Sequence, residues 1–355
     1  MKIVIDINHP AHVHYFKHFI WEMQNRGHEF LITASEKDIS YRLLNAYSFD
    51  YIKLGKYGDS FIKKALNLLL MDVKMYNAIK KFKPDICIGA GSIRATHAAY
   101  MLKSTSILLE STEHSNEQHV LYLPLVNTIL TPSCFKKDLG KKQIRFDGYK
   151  ELMYLHPNRF IPNPAVLTEL GLAEGDPFII VRFVSWQASH DVGQHGIRDK
   201  IGLVKTLETY GRVLITSEGP LPKELERCRI RISPEKMHDL LSYASLYLGE
   251  GATMASEAAV LGIPSIYVSS LVGTMGNFKE LEETYDLLYA FIESDLALCK
   301  AVEILRNPAS KENWKIKRDR LLHEKIDVTA FMIWFIENYP RSITEMNNHH
   351  EIDHT

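Results

Sequence analysis

Excess charge is the first thing this chain does not have: 42 Lys and Arg stand against 43 Asp and Glu, a formal charge of −1. No global field gathers nucleic acid, so a nucleic-acid partner is not expected without a local basic patch. Cysteine is scarce as well. Cys87, Cys134, Cys228 and Cys299 lie far apart with no C-x-x-C pair, which argues for reduced thiols and against a zinc ribbon or a disulfide framework. Apolar runs stay short of the roughly 20 residues that span a bilayer. The chain enters a strand directly at Lys2-Ile-Val-Ile-Asp6, without a charged stretch and long apolar core, so no signal peptide is visible. A cytoplasmic location is expected, with contact at a membrane surface left open. Catalytic signatures are missing too: there is no Asp-x-Asp metal motif, no Gly-x-Ser-x-Gly elbow, and no third glycine to complete a dinucleotide fingerprint.

What is there is ordinary globular material, 46% hydrophobic and 24% charged, in a chain of 355 residues that exceeds the usual single core. Apolar strands alternate with amphipathic helices along both halves, which predicts parallel α/β sheets. The reading assigns a first domain to 1–150, a linker to the Pro-rich 151–164, a second domain to 165–325, a helix at 326–340 crossing back to the first, and a frayed polar tail at 341–355. Leu125 to Leu130 reads as a strand, and Ser133 as the cap of a short helix.

The stretch from Tyr247 to Ser269 organises the whole: an apolar strand, a turn through Gly249 and Gly251, a helix from Ala252 to Leu261, a break at Gly262, and a second strand. The glycines tolerate unusual backbone angles, and Thr253 is placed to cap the helix, whose free N–H groups attract anions. Glu257 follows Thr253 by one turn, which puts a carboxylate within reach of a ribose beside a bound phosphate. A plain tight turn with a solvated glutamate is the alternative.

Other candidates stand at strand ends, where open α/β sheets bind ligands. His9, His12 and His14 crowd the first loop with His18 a turn later; a metal site lacks an accompanying carboxylate at ligand spacing, and a catalytic or substrate-binding histidine is preferred, with plain surface histidines as the alternative. Gly91 and Ser92 at a strand-to-helix turn, with Arg94 in reach, form a second candidate anion site. Glu110 and Glu113 lie in the polar run Glu110-Ser-Thr-Glu-His-Ser-Asn-Glu-Gln-His119, as candidate carboxylates of the catalytic cleft. After the strand Phe178–Phe183, Arg182, Ser189 and His190 are candidate phosphate and sugar contacts, with Trp186 a flat stacking surface. Ser189, His190 and Asp191 are consecutive and cannot form a hydrolase triad.

Gly251-Ala252, Ser256-Glu257, Ala259, Gly262 and Pro264 resemble the nucleotide-sugar signature in the second domain of GT-B glycosyltransferases, above all the N-acetylglucosaminyltransferases of peptidoglycan synthesis, and more loosely UDP-N-acetylglucosamine 2-epimerases. Ala11-His12-Val13 is similar to the Gly-His-Val of those transferases' first glycine-rich loop, although Asn8, His9 and Pro10 replace its glycines. The run Glu110 to His119 resembles their acceptor-facing His-Glu-Gln-Asn loop. Gly148-Tyr-Lys-Glu-Leu-Met-Tyr-Leu155, within a likeness running nearly end to end, is similar to a largely archaeal family of the GT-B clan, domain-of-unknown-function family 354.

The resemblance implies two Rossmann-like domains facing a cleft. It implies a nucleoside-diphosphate sugar as small-molecule substrate, with Gly249, Gly251, Ser256 and Glu257 around it, no metal and no cofactor, and a lipid-linked or glycan acceptor at the membrane surface as one option. Glycosyl transfer is the first reading. A non-hydrolysing epimerase using Glu110, Glu113 and Glu117, or a sugar-nucleotide binding protein without turnover, are the others. Oligomeric state stays open.

Overall fold

The computed structural model describes residues 1–55, 61–184 and 196–352. They fall into two compact units, Met1–Arg159 with Ile326–Thr355, and Phe160–Lys325. The first unit runs β1 (Lys2–Ile7), α1 (Pro10–Asn25), β2 (Glu29–Ser35), α2 (Ser40–Ala46), β3 (Tyr51–Gly55), α3 (Phe61–Ile79), β4 (Ile86–Ala90) and α4 (Ile93–Leu102). It continues with β5 (Thr105–Leu109), α5 (Asn116–Tyr122), β6 (Thr128–Pro132), β7 (Gln143–Phe146) and α6 (Leu152–Leu155). The second contains α7 (Ala165–Glu169), β8 (Phe178–Phe183), α8 (Lys200–Leu207), β9 (Arg212–Ser217), two short 3-10 turns, α9 (Met237–Leu241), β10 (Leu246–Gly249) and α10 (Ala252–Leu261). It ends with β11 (Ser265–Val268), α11 (Gly276–Glu283), β12 (Leu288–Phe291), α12 (Ser294–Arg306) and α13 (Ser310–Glu324), after which α14 (Val328–Glu337) and α15 (Arg341–Ile352) belong to the first unit.

The first sheet has the order β3-β2-β1-β4-β5-β6-β7 and the second β12-β11-β10-β8-β9, with parallel pairing throughout. Strand direction of travel reverses between β1 and β4 in one and between β8 and β10 in the other. These are the points where doubly wound sheets leave a crevice at their carboxyl ends. Ile3, Val4 and Ile5 are fully buried in succession, because helices cover both sheet faces.

Four local expectations are corrected. β6 starts at Thr128, since Leu125 and Val126 donate their N–H groups to Tyr122 O and so extend the turn of α5. Ser133 caps nothing: the chain turns there, and the Arg145 guanidinium takes the carbonyls of Ser133 and Phe135. Within 151–164, expected to be a linker, Leu152–Leu155 is a buried helical turn. Residues 341–352, read as a frayed tail, form a helix whose first turn is tied down by Ser342, fully buried, donating to Phe335 O at 2.8 Å.

At the switch point of the first sheet lies Asp6, on β1 and 0% exposed. Its carboxylate accepts from Thr33 Oγ1 at 2.7 Å, Ser92 Oγ at 2.5 Å, and Arg94 Nε and Nη2 at 2.8 and 2.7 Å. Arg94 also donates to Ser35 Oγ and to Ile7 O. β1, β2 and the β4–α4 turn are thereby joined through one carboxylate. Removing one member of a buried pair leaves the other charge uncompensated, so Asp6→Asn is expected to cost about 3–5 kcal/mol in urea unfolding. Asp6→Asn/Arg94→Met should recover part of that loss.

Candidate functional site

In the first unit, the candidate residues gather at the carboxyl ends of β1, β4 and β5, and two of them, Ser92 and Arg94, are engaged by the protein itself. Gly91, at φ 54°, makes the left-handed turn that a side chain would resist, and a Cβ there would sit 3.5 Å from Glu110 Oε2. Ser92 caps α4, accepting from Ala95 N at 3.2 Å while its hydroxyl donates to Asp6. Arg94 is 1% exposed and turned onto Asp6. The expected anion at this glycine turn is therefore internal: the Asp6 carboxylate occupies the guanidinium and the serine that were assigned to a ligand.

The histidines of the first loop separate. His9 is the N-cap of α1, its Nδ1 accepting from Ala11 N at 3.2 Å. His14 stacks on Tyr154 and meets the Tyr47 hydroxyl at 3.3 Å. His18 lies edge-on to Trp21. His12 stacks on Tyr15 with centroids 5.5 Å apart, and its buried Nδ1 has no hydrogen-bond partner among the described residues. Burial, and then the electrostatic influence of His9, Lys150 and Arg94, drive the His12 pKa well below its ordinary 6.5. The ring is a neutral imidazole at neutral pH. Among the described residues, no group of three or more His, Cys, Asp or Glu could hold a metal ion.

Glu110, at the end of β5, accepts from the N–H groups of Ser111 and Thr112 at 2.8 Å each and from the Tyr122 hydroxyl at 2.5 Å, with His119 Nε2 at 3.3 Å. Burial would raise its pKa, but the bonds from His119, Tyr122 and Thr112 outweigh it and hold the group below the usual carboxylate range. Glu113 is equally buried and takes the Lys136 N–H at 3.4 Å. Lys150, within the Gly148 to Leu155 run, lines a small cavity with Tyr15, Leu109, Glu110 and Phe146. Burial would lower its pKa, yet Tyr15, Glu151 and Glu110 raise it, so the ammonium stays charged.

In the second unit, α10 begins two residues earlier than a Thr253 cap requires. Gly251 is the N-cap, and Thr253 sits inside the first turn, where its N–H is one of the helix's open donors. Ser256 is likewise turned inward, its hydroxyl donating to Thr253 O at 3.0 Å. Glu257 is 5% exposed, with Oε1 3.0 Å from Nε2 of His238 on α9. No local signal in the sequence joins positions 238 and 257; the packing of α9 on α10 does.

Arg182, at the end of β8, reaches Thr216 Oγ1 at 3.1 Å and Glu218 Oε1 at 2.7 Å. Gly251 makes room for its side chain, since a Cβ there would stand 2.6 Å from Arg182 Cδ and Nε; one on Gly249 would stand 2.7 Å from the Tyr247 hydroxyl and 2.9 Å from Arg182 Cβ and O. Between them Glu250, missed by the sequence reading, accepts from Val184 N at 2.8 Å and Ile197 N at 2.7 Å. It ties together the two chain positions flanking 185–195. Trp186, Ser189 and His190 lie outside the described residues.

Two parallel α/β sheets, each with its polar cluster at the switch point, define a GT-B type of fold. The chain belongs to the family described as Protein of unknown function (DUF354), whose model matches residues 1–282. The uncharacterized protein MJ0665 of Methanocaldococcus jannaschii is 27% identical over 288 residues, 77% of this chain and 84% of that protein. Among solved structures, the chain is similar to the UDP-GlcNAc 2-epimerase of Methanocaldococcus jannaschii (TM-score 0.61, 14% identity, covering 90% of this chain and 99% of that one). It is also similar to the S. aureus MnaA-UDP co-structure (TM-score 0.65, 11% identity, 97% and 98% covered). A third likeness is to glycosyltransferase VinC in complex with dTDP (TM-score 0.61, 9% identity, 97% and 100% covered). These likenesses show the fold.

The two glycines should differ in sensitivity. Gly249→Ala meets backbone and is expected to destabilise by about 1–3 kcal/mol in denaturant titration, whereas Gly251→Ala meets only the movable end of Arg182 and should cost less. A pH prediction follows from α1. Burial, Lys17 and Arg159 lower the His18 pKa to about 4. The unfolded chain therefore binds a proton near pH 6.5 that the folded chain refuses, and stability should fall as pH drops from 6.5 to 4. His18→Gln is expected to flatten that part of the unfolding free energy measured against pH.

Proposed function

We propose that the chain transfers a sugar from a nucleoside-diphosphate donor to an acceptor hydroxyl, without a bound metal or cofactor. The second unit holds the nucleotide and the first supplies the base. The observation that carries this reading is His12: a neutral, half-buried imidazole whose buried Nδ1 has no partner among the described residues, beside charged Lys150, at the start of the helix that follows β1. Such a ring is in the protonation state a general base needs. In the second unit, the amides that open α10 face the diphosphate. Arg182 leaves Glu218 to meet it, and Glu257, oriented by His238, grips the ribose. Ser189 and His190, outside the described residues, stay candidate donor contacts from the sequence. The fold shared with a UDP complex and a dTDP complex supports a pyrimidine nucleotide as donor. The working location is the cytoplasm, with a lipid-linked or glycan acceptor.

A second reading, sugar epimerisation, draws on one specific feature: Glu110 and Glu113 are both buried just beyond β5 and could share acid and base work. Binding without turnover is the third.

A melting-temperature screen against UDP, dTDP and their sugars tests the nucleotide site, since a ligand of the native state raises the midpoint by mass action. Wild type is expected to shift by several degrees with one of these. Glu257→Gln, which keeps the shape of the buried side chain, should remove most of the shift. His12→Gln should keep the shift and lose turnover by about 100-fold or more. Isomerisation of a donor incubated alone, abolished by Glu110→Gln and retained by His12→Gln, would replace transfer with the epimerase reading.

A further inference from the structure

Three helices of the first unit meet around one contact. His97 on α4 places Nδ1 2.7 Å from Asp72 Oδ2 on α3 and Nε2 3.2 Å from Leu121 O on α5. The inner faces are satisfied, with Met71, Met75 and Ile79 of α3 buried against Ala95, Ala98 and Ala99 of α4. The outer faces are apolar as well. Leu69, Leu70 and Val73 flank Asp72, and Tyr100 and Met101 lie one helical turn beyond His97. Val120 and Leu121 stand where α5 receives the His97 bond. Each of these seven side chains is between 40% and 72% exposed. Single exposed apolar residues need no explanation, but a contiguous group over three packed helices marks a surface that something covers.

The rim identifies the partner by charge. Lys74, Lys80, Lys81, Lys83 and Lys103 are exposed on α3, on the turn after it and at the end of α4, against Asp85 and Glu117 as exposed acids nearby. This basic rim belongs to a chain with a formal charge of −1, so it is a local feature. An apolar centre with a lysine border is the pattern of a face that sinks into the acyl boundary of a bilayer while its ammonium groups meet anionic headgroups. Pairing with a second copy across a two-fold axis would set the lysine rims against each other. Among the described residues, no helix is long and apolar enough to cross a membrane, so the contact is one of lying on the surface.

We infer that the outer face of α3, α4 and α5 is a docking surface for an anionic lipid bilayer. The inference goes beyond the proposed reaction and stands whether the chemistry is transfer or epimerisation. The test is flotation of the full chain with phosphatidylcholine vesicles, with and without phosphatidylglycerol, at low and high salt. Wild type should float with the anionic vesicles, less so at high salt, and not with phosphatidylcholine alone. Leu70→Glu/Val73→Glu and Lys80→Glu/Lys81→Glu should each cut the bound fraction by about tenfold with an unchanged melting temperature. The lysine pair leaves every apolar residue in place, so it remains informative if the glutamates disturb α3. Failure of wild type to float with anionic vesicles overturns the inference, as do variants that float like wild type. So does light scattering that shows a dimer dispersed by Leu70→Glu/Val73→Glu. Neither donor nor acceptor enters the assay, so its failure leaves the proposed reaction untouched.

Discussion

A carboxylate placed at the end of a strand buried on both faces must find donors or unfold the sheet around it, and Asp6 finds them in Thr33, Ser92 and Arg94. Desolvating such a pair is expensive, and its Coulomb attraction repays the cost only when the remaining hydrogen-bonding positions are also filled. Here they are, because Arg94 donates through Nη1 to Ser35 Oγ and through Nη2 to the Ile7 carbonyl as well as to Asp6. One consequence is positional: the β4–α4 turn cannot shift without breaking the Ser92 cap and the Asp6 bond together. The other is electrostatic. Arg94 is neutralised locally, and Lys150, a second cation at these strand ends, is held charged by Tyr15, Glu151 and Glu110.

The second unit solves the same topological problem with the opposite charge arrangement. At its switch point the cation, Arg182, is partly exposed and held by a half-exposed Glu218 and a threonine hydroxyl, partners that water can replace at small cost. The acid of that turn, Glu250, faces inward onto two backbone amides. An anion is thus easier to accommodate beside Arg182 than beside Arg94. The glycines of the turn carry part of this arrangement, since Gly251 lets the Arg182 side chain lie across the start of α10. A glycine pair that looks like a phosphate loop in sequence is here first of all a clearance for an arginine.

Periodicity made the fold legible. α10 occupies the residues expected from composition alone, and β8 does as well, because continuous apolar runs bounded by glycine and polar turns leave few alternatives. Where reading failed, tertiary packing overrode composition: residues 341–352 are polar and lack an apolar stripe, yet the buried Ser342 anchors them as a helix. The site was legible residue by residue but not pair by pair. Asp6 and Arg94 are 88 positions apart, and neither Gly91-Ser92 nor Arg94 carries a local sign that a carboxylate from β1 already claims them. One clue was present: an aspartate closing an otherwise apolar parallel strand is a buried charge and needs a partner.

The choice between the two reactions turns on which group is free to change its proton. Glu110 has Ser111, Thr112 and Tyr122 donating to it and His119 alongside, and a carboxylate so well supplied gains little from accepting a proton and loses those bonds if it does. Its lowered pKa expresses the same fact. His12 is the reverse case: burial, and then its neighbours, hold its pKa well below the ordinary value, so it is deprotonated at neutral pH, at the cost of basicity. An acceptor hydroxyl approaching an electrophilic sugar carbon needs only partial proton removal in the transition state, a demand that a weak but neutral base can meet. Abstracting a carbon-bound proton, as epimerisation requires, asks more of the base than either group offers. That difference in demand, more than the resemblance of folds, places transfer first.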